Sequence, residues 1–125
     1  MDTDAWISAG THYIEWYASD RHDAPDPVVH ARFRKDAHDF ERRHGDVTGG
    51  LTYGTEDDYR DLLDSMFHDG RYTWGRFVAV HVFTAQWARK NPSNACDFVE
   101  MLAKYARDNR DRWTLDNHPV ACRIM

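Results

Sequence analysis

Apolar residues recur along the chain at steps of three and four, and turn-forming residues cut that recurrence into five segments. The first runs from about Thr3 to Ser19, where Trp6, Ile7, Tyr13, Ile14 and Tyr17 fall at helical spacing. Gly10 interrupts it, and a glycine inside a helix costs about 1 kcal/mol relative to alanine. Asp23-Ala-Pro-Asp-Pro27 ends this segment. Asp26 followed by Pro27 reads as an N-cap with proline at the first helical position. A second helix is predicted over Val28–His44. Val29, Phe33, Ala37, Phe40 and His44 share one stripe, and Arg32, Lys35, Asp36, Asp39, Arg42 and Arg43 occupy the other face. Gly45, Gly49 and Gly50 mark a loop. A third helix begins at Thr55, a good N-cap, with Glu56, Asp57 and Asp58 in the turn where negative charge suits the helix dipole. Tyr59, Leu62, Leu63, Met66 and Phe67 form its apolar stripe, and His68-Asp-Gly70 ends it.

The fourth segment, Thr73 to Lys90, differs in kind. Trp74, Phe77, Val78, Val80, Val82, Phe83, Ala85 and Trp87 go nearly all the way round it, as in a helix surrounded by others. Its β-branched residues also allow a strand, but a length near ~25 Å at the helical rise argues for a helix. Asn91-Pro92 stops it. A fifth, amphipathic helix covers Asn94 to Asn109, with Cys96, Val99, Leu102, Ala103 and Tyr105 partly inward, and a last short element around Arg112 to Leu115 is cut by Pro119. The expected fold is all-α and single-domain over residues 1–125: a hydrophobic helix at about 73–90 wrapped by amphipathic ones.

With 42% hydrophobic and 14% aromatic residues the chain has material for a core. A net charge of -5 and a pI near 5.8 disfavour a nucleic-acid partner, which calls for a basic face. The acidic start Met1-Asp-Thr-Asp4 is unlike the basic region of a secretory signal, and no stretch approaches the roughly 18 apolar residues of a membrane span. A cytoplasmic protein without a membrane anchor in this chain is therefore expected. The two cysteines, Cys96 and Cys122, lie in no metal or redox spacing. One disulfide is formally open to them, and two free thiols is the simpler arrangement. Eight histidines form no His-Glu-x-x-His pattern; His30, His38 and His44 lie eight and six residues apart, off a common helix face. His81, on the hydrophobic helix, reads as a core or boundary histidine. No serine or cysteine has a nucleophile context, and the glycines follow no phosphate-loop pattern. Nothing in the chain points to an enzyme, a metal or a cofactor.

The most informative stretch is Asp69-Gly-Arg-Tyr-Thr-Trp-Gly-Arg-Phe-Val-Ala-Val-His-Val-Phe83. It reads as a turn, a cap at Thr73 and an abrupt hydrophobic helix. Gly75 and Arg76 are unusual in its first turn. Glycine there lets another backbone approach closely or merely accommodates internal packing. Arginine there either takes a carboxylate in a fork geometry or extends to solvent.

This stretch resembles the first homology motif of the Bcl-2 family, whose core Asn-Trp-Gly-Arg is here Thr73-Trp74-Gly75-Arg76, preceded by Phe67-His-Asp-Gly70 at the family's spacing. The order of elements agrees as well. The first helix takes the place of the fourth motif. The second helix, with Phe33-Arg-Lys-Asp-Ala-His-Asp-Phe40-Glu-Arg-Arg43, is similar to the third, and Trp113 with Asp116-Asn117 looks like the start of the second. The resemblance implies a Bcl-2-like helical bundle whose surface groove holds the amphipathic death-motif helix of pro-apoptotic partners. By that resemblance Gly75 admits the ligand helix, Arg76 pairs with its aspartate, and Thr73, Trp74, Phe40, His44, Leu62, Met66, Val78, Ala79 and Phe83 line the groove.

The chain departs from the third motif, Leu-x-x-x-Gly-Asp, by carrying Phe33, Ala37 and His38 at those places. A segment without that aspartate is poorly suited to act as a killing ligand, which favours pro-survival sequestration over pore formation. Compactness and erosion after Asn117 are similar to the pro-survival homologues of large DNA viruses. Three other readings stay open: a homodimer covering an apolar groove, a helical adaptor, and a pro-apoptotic member of the family.

Overall fold

The computed structural model describes residues 3–19, 28–48 and 55–113. Five α-helices occupy them: α1 (Thr3–Ser19), α2 (Val28–His44), α3 (Glu56–Met66), α4 (Trp74–Lys90) and α5 (Ala95–Asp108), with short 3-10 turns at Pro92–Asn94 and Arg110–Arg112. The chain is all-α and no strand occurs among the described residues, so the β-branched residues of α4 do not make a strand. Of the short element expected around Arg112 to Leu115, only Arg112 and Trp113 lie among the described residues, and Arg112 ends the second 3-10 turn. The Asp26-Pro27 cap, the Gly49-Gly50 loop, Leu115 to Asn117, Pro119 and Cys122 lie outside the described residues.

The helix ends follow from local chemistry. Thr55 and Asp58 form a reciprocal capping box at the start of α3: the Thr55 hydroxyl accepts from the Asp58 N–H at 3.1 Å, and the Asp58 carboxylate accepts from the Thr55 N–H at 3.0 Å. Thr73 caps α4 by accepting from the Arg76 N–H at 3.3 Å. Gly45, at φ +66, closes α2 in the left-handed region and donates its N–H to Glu41 O at 2.7 Å.

Helix α4 is the centre of the bundle, with twelve of its seventeen residues buried, and α1, α2 and α5 pack around it. Phe33 of α2, fully buried, touches Tyr13 of α1 and Trp74, Phe77 and His81 of α4. Burying such a side chain stabilises the fold by about 1.5–3 kcal/mol. At the other side of α4, Trp113 meets Phe67, Tyr72 and Phe77 edge-on and donates its indole N–H to Ala106 O at 3.1 Å. Tyr59 fastens α3: its hydroxyl hydrogen-bonds to that of Thr84, and its ring lies 5.3 Å from Phe98 of α5.

Three polar side chains are buried on α4, and each is satisfied. Thr84 donates to Val80 O at 2.7 Å. Gln86 donates to the Glu41 carboxylate at 2.9 Å and to Gly45 O at 3.0 Å, and accepts from the Val47 N–H at 2.9 Å. Next to it Lys90 reaches Asp46 and Thr48, both at 2.6 Å, and holds the Asp46 carboxyl down at about 2. His81 donates from Nδ1 to Phe77 O at 2.7 Å, and burial pushes the imidazole down to about 4. It is a satisfied core histidine, as its place on the hydrophobic helix predicts.

The edge of the His81 ring explains Gly10. A Cβ built on Gly10 would lie 2.3 Å from His81 Nε2 and 2.5 Å from Cδ2, so α1 can cross α4 only where a side chain is missing. The residue that weakens α1 on propensity is the point at which α1 docks.

Two predictions follow from this core. Gly10→Ala should lower stability by roughly 1–2 kcal/mol, because crowding a fixed ring outweighs the gain of about 1 kcal/mol in helix propensity. Urea unfolding measures this, and a variant as stable as the parent would remove the packing argument. For His81, the folded-state value lies below the unfolded value of 6.5, so the unfolded chain binds the extra proton first. Its contribution is complete above pH 6.5 and is lost as pH falls from 6.5 toward 4, a loss of roughly 3 kcal/mol. Urea midpoints across that window should fall for the parent and show a shallower slope in His81→Phe; equal slopes would show that His81 is not the titrating group.

Candidate functional site

The Asp69–Arg76 segment builds the most distinctive local geometry. Gly70, at φ +74, turns the chain beneath the first turn of α4. Asp69 accepts from the Arg71 N–H at 3.1 Å, which folds its carboxylate back toward the helix. The Arg76 guanidinium then forks onto Asp69, with Nη1 to Oδ1 and Nη2 to Oδ2 at 2.9 Å. Nη1 also donates to Met66 O at 3.2 Å and Arg71 O at 3.3 Å. Arg76 thus ties the end of α3, the turn and the start of α4 together. Hydrogen bonding from Arg76 holds the Asp69 carboxyl at about 2.

The fork geometry expected of Arg76 is present, and in the free chain the carboxylate in it is that of Asp69. The partner is seven residues upstream, on the turn. The pair is still accessible, with the Arg76 side chain 33% exposed.

A Cβ built on Gly75 meets nothing within 4 Å among the described residues, so packing against them does not require glycine. Its exposed backbone borders a depression of about 130 Å³ between α2 and α4, lined by Asp36, Asp39, Phe40, Arg43, Trp74, Gly75 and Val78. Four of the predicted groove residues, Phe40, Trp74, Gly75 and Val78, are thus brought together. Thr73 and Arg76 adjoin them in the same helical turn, as cap and ion pair.

The others are placed elsewhere. Trp74, although it walls the depression, is a core residue: it is buried, meets Trp6 edge-on at 4.7 Å, stacks on Phe77 and donates its indole N–H to Asp36 at 3.1 Å. Phe83 is buried and stacks on Trp87, away from the depression. Leu62 and Met66 pack half-buried against the core, and Ala79 is half-buried; none of the three lines the depression. His44 is exposed, its ring 4.4 Å from that of Phe40. A strip of helix surface that looks continuous in sequence is divided because α4 is buried from Val80 to Ala88, so at the seam only its first turn reaches solvent.

A larger cleft, about 410 Å³, lies on the other side of α2, between it, the second half of α1 and the end of α4. Tyr13 and Tyr17 in its lining lie on the apolar stripe of α1, whereas Trp16, Arg34, Lys35 and Arg89 lie off their helices' apolar stripes and are not marked by periodicity. The signal that could have pointed there is Trp16, a large aromatic outside the stripe that buries α1. Among the described residues no cluster of three or more histidine, cysteine or acidic side chains could hold a metal ion, and no helix is long and apolar enough to cross a membrane. Cys96 is an exposed free thiol.

This arrangement separates the roles of adjacent residues. Trp74→Ala should cost about 3–5 kcal/mol of folding stability, and Thr73→Ala about 1 kcal/mol through loss of the cap. Thermal unfolding of both variants checks the order, and a Trp74→Ala protein as stable as the parent would return Trp74 to the exposed surface. Comparison with known protein families, curated proteins and solved structures finds no match to this chain.

Proposed function

We propose that the protein is a pro-survival, Bcl-2-like binding module that captures the amphipathic death-motif helix of pro-apoptotic partners at the seam between α2 and α4. The observation that carries the reading is Gly75. It sits in the first turn of the central helix, where glycine weakens the helix, and none of the described residues fills the space it leaves. Helix ligands approach closely where a Cβ is missing, and the adjoining Phe40 and Val78 give an apolar floor for an anchoring side chain. The surrounding motif, with its turn, cap, buried tryptophan and forked arginine, supports the same reading, as does a buried central helix wrapped by α1, α2 and α5. Net charge of -5 and the absence of a spanning helix among the described residues agree with capture of partners outside the bilayer.

In this mode the ligand reads the protein through anchors at steps of three, four and seven. The depression takes one such anchor, so binding entails widening of the α2–α4 seam around Phe40 for the rest. The ligand's aspartate meets an arginine already paired, and joins or displaces Asp69 at the guanidinium.

The test is calorimetric titration against synthetic pro-death helix peptides, each paired with a version lacking the aspartate. Binding tighter than about 1 μM, roughly -8 kcal/mol, is expected for at least one peptide. Gly75→Leu should abolish it while leaving thermal stability unchanged or higher. Retained binding in Gly75→Leu would falsify the close-approach argument, and no binding to any peptide by the folded parent would sink the function.

A further inference from the structure

We infer that the cleft between α1, α2 and the end of α4 is a binding site for a small amphipathic carboxylate, whose apolar body lies on Tyr13, Trp16 and Tyr17 and whose head meets Arg34, Lys35 and Arg89. Its volume of about 410 Å³ lies within the range of small-molecule pockets and is three times that of the depression beside Gly75. The floor is aromatic: Tyr13 is buried, and Trp16 and Tyr17 are half-buried beside it, with Trp16 6.2 Å and Tyr17 5.9 Å from the Tyr13 ring.

The charge at this floor is opposite to that of the chain. Among the described residues three cations, Arg34, Lys35 and Arg89, and one carboxylate, Glu41, line the cleft, although the whole chain carries -5. Glu41 is engaged from the side: it accepts from the Tyr17 hydroxyl at 2.6 Å and from Gln86 at 2.9 Å. Arg34 and Arg89 are held over aromatic faces, 5.1 Å from the Trp16 ring and 5.3 Å from the Tyr17 ring, which places positive charge at the edge of the apolar floor. Burial and Glu41 raise both tyrosine hydroxyls, Tyr17 to about 12, so neither adds negative charge to the cleft, and the Tyr17 proton is committed to Glu41. An apolar bed with a cationic rim selects a ligand with a hydrocarbon or aryl body and one anionic end. It disfavours a bare anion, for which the floor offers nothing, and a cation, which the rim repels. The site is independent of the α2–α4 seam and does not rest on the function proposed there.

The experiment uses the full chain and dodecanoate below its micelle concentration, with dodecanol and dodecyltrimethylammonium as neutral and cationic controls. Calorimetry should give saturable binding of one equivalent, with both controls at least ten-fold weaker. Nitrogen-15 NMR should place the largest shifts at the Trp16 indole and the backbone around Ala31 to Lys35. Lys35→Glu with Arg89→Glu should weaken binding at least ten-fold. Ala31→Trp, which fills the cleft from an exposed helix position without altering charge, should abolish it with helical content retained. Equal binding of dodecanol, shifts centred away from the cleft, or full affinity in Ala31→Trp would each overturn the assignment. Sedimentation with phosphatidylserine vesicles in the absence of dodecanoate binding would do the same, by making the basic rim a membrane contact instead.

Discussion

Helix α4 has no face to give to water, and the rest of the bundle is arranged to satisfy that condition. Apolar burial alone would let the surrounding helices slide, because hydrophobic contact has little direction. The polar residues of α4 remove that freedom. His81 presents its ring to the only position in α1 without a side chain at that crossing, Gly10. Thr84 meets the hydroxyl of Tyr59 and fixes α3. Gln86 uses both ends of its amide on the end of α2 and the turn after it. A buried polar group left unpaired costs about 1–3 kcal/mol, so a slip of one turn in any of the three helices is penalised separately. The apolar residues of α4 demand wrapping, and three polar ones determine its register.

That division explains what could be read in the sequence. Helix boundaries were legible because they depend on neighbouring residues: Thr55 with Asp58, Thr73 with the Arg76 N–H, and Asn91-Pro92 are local signals. The central position of α4 was legible because its apolar residues cover its circumference. Gly10 was read only as a propensity defect, since its reason is a ring seventy-one positions away in the chain. The fork at Arg76 was legible as chemistry, and the carboxylate that fills it in the free chain was not. Nothing in the spacing tells whether Asp69 turns toward the helix; that depends on the left-handed Gly70 and the Asp69–Arg71 contact. The predicted groove was partly legible: Phe40, Trp74, Gly75 and Val78 converge, while burial of α4 beyond its first turn separates Phe83 from them. The aromatic cleft needs three helices in a particular register and has no signature in any one.

Helix α2 serves both surfaces. Phe33 and Ala37 point into the core and are fully buried. To one side, Phe40 with Asp36 and Asp39 borders the seam with α4; to the other, Arg34 and Lys35 border the cleft with α1. Both borders carry mixed charge: Arg43 lies with Asp36 and Asp39 at the seam, and Glu41 lies with Arg34 and Lys35 at the cleft.

The Asp69–Arg76 pair bears on what could give such a seam its selectivity. Both side chains are substantially exposed, at 44% and 33%, so solvent screens the pair and its breaking or sharing costs little. A ligand carboxylate arriving at Arg76 therefore gains little while the site remains wet, and gains more only once the ligand helix excludes water from the guanidinium. Water is excluded only if the ligand backbone comes down onto the first turn of α4, and Gly75 is where it can. In the proposed mode the steric permission at Gly75 thus precedes the electrostatic contact at Arg76. A helix too bulky to settle there would leave its aspartate in solvent, and the charge pair would contribute nothing to recognition. In that mode the glycine would set which ligands reach the arginine, and the arginine would distinguish among those that do.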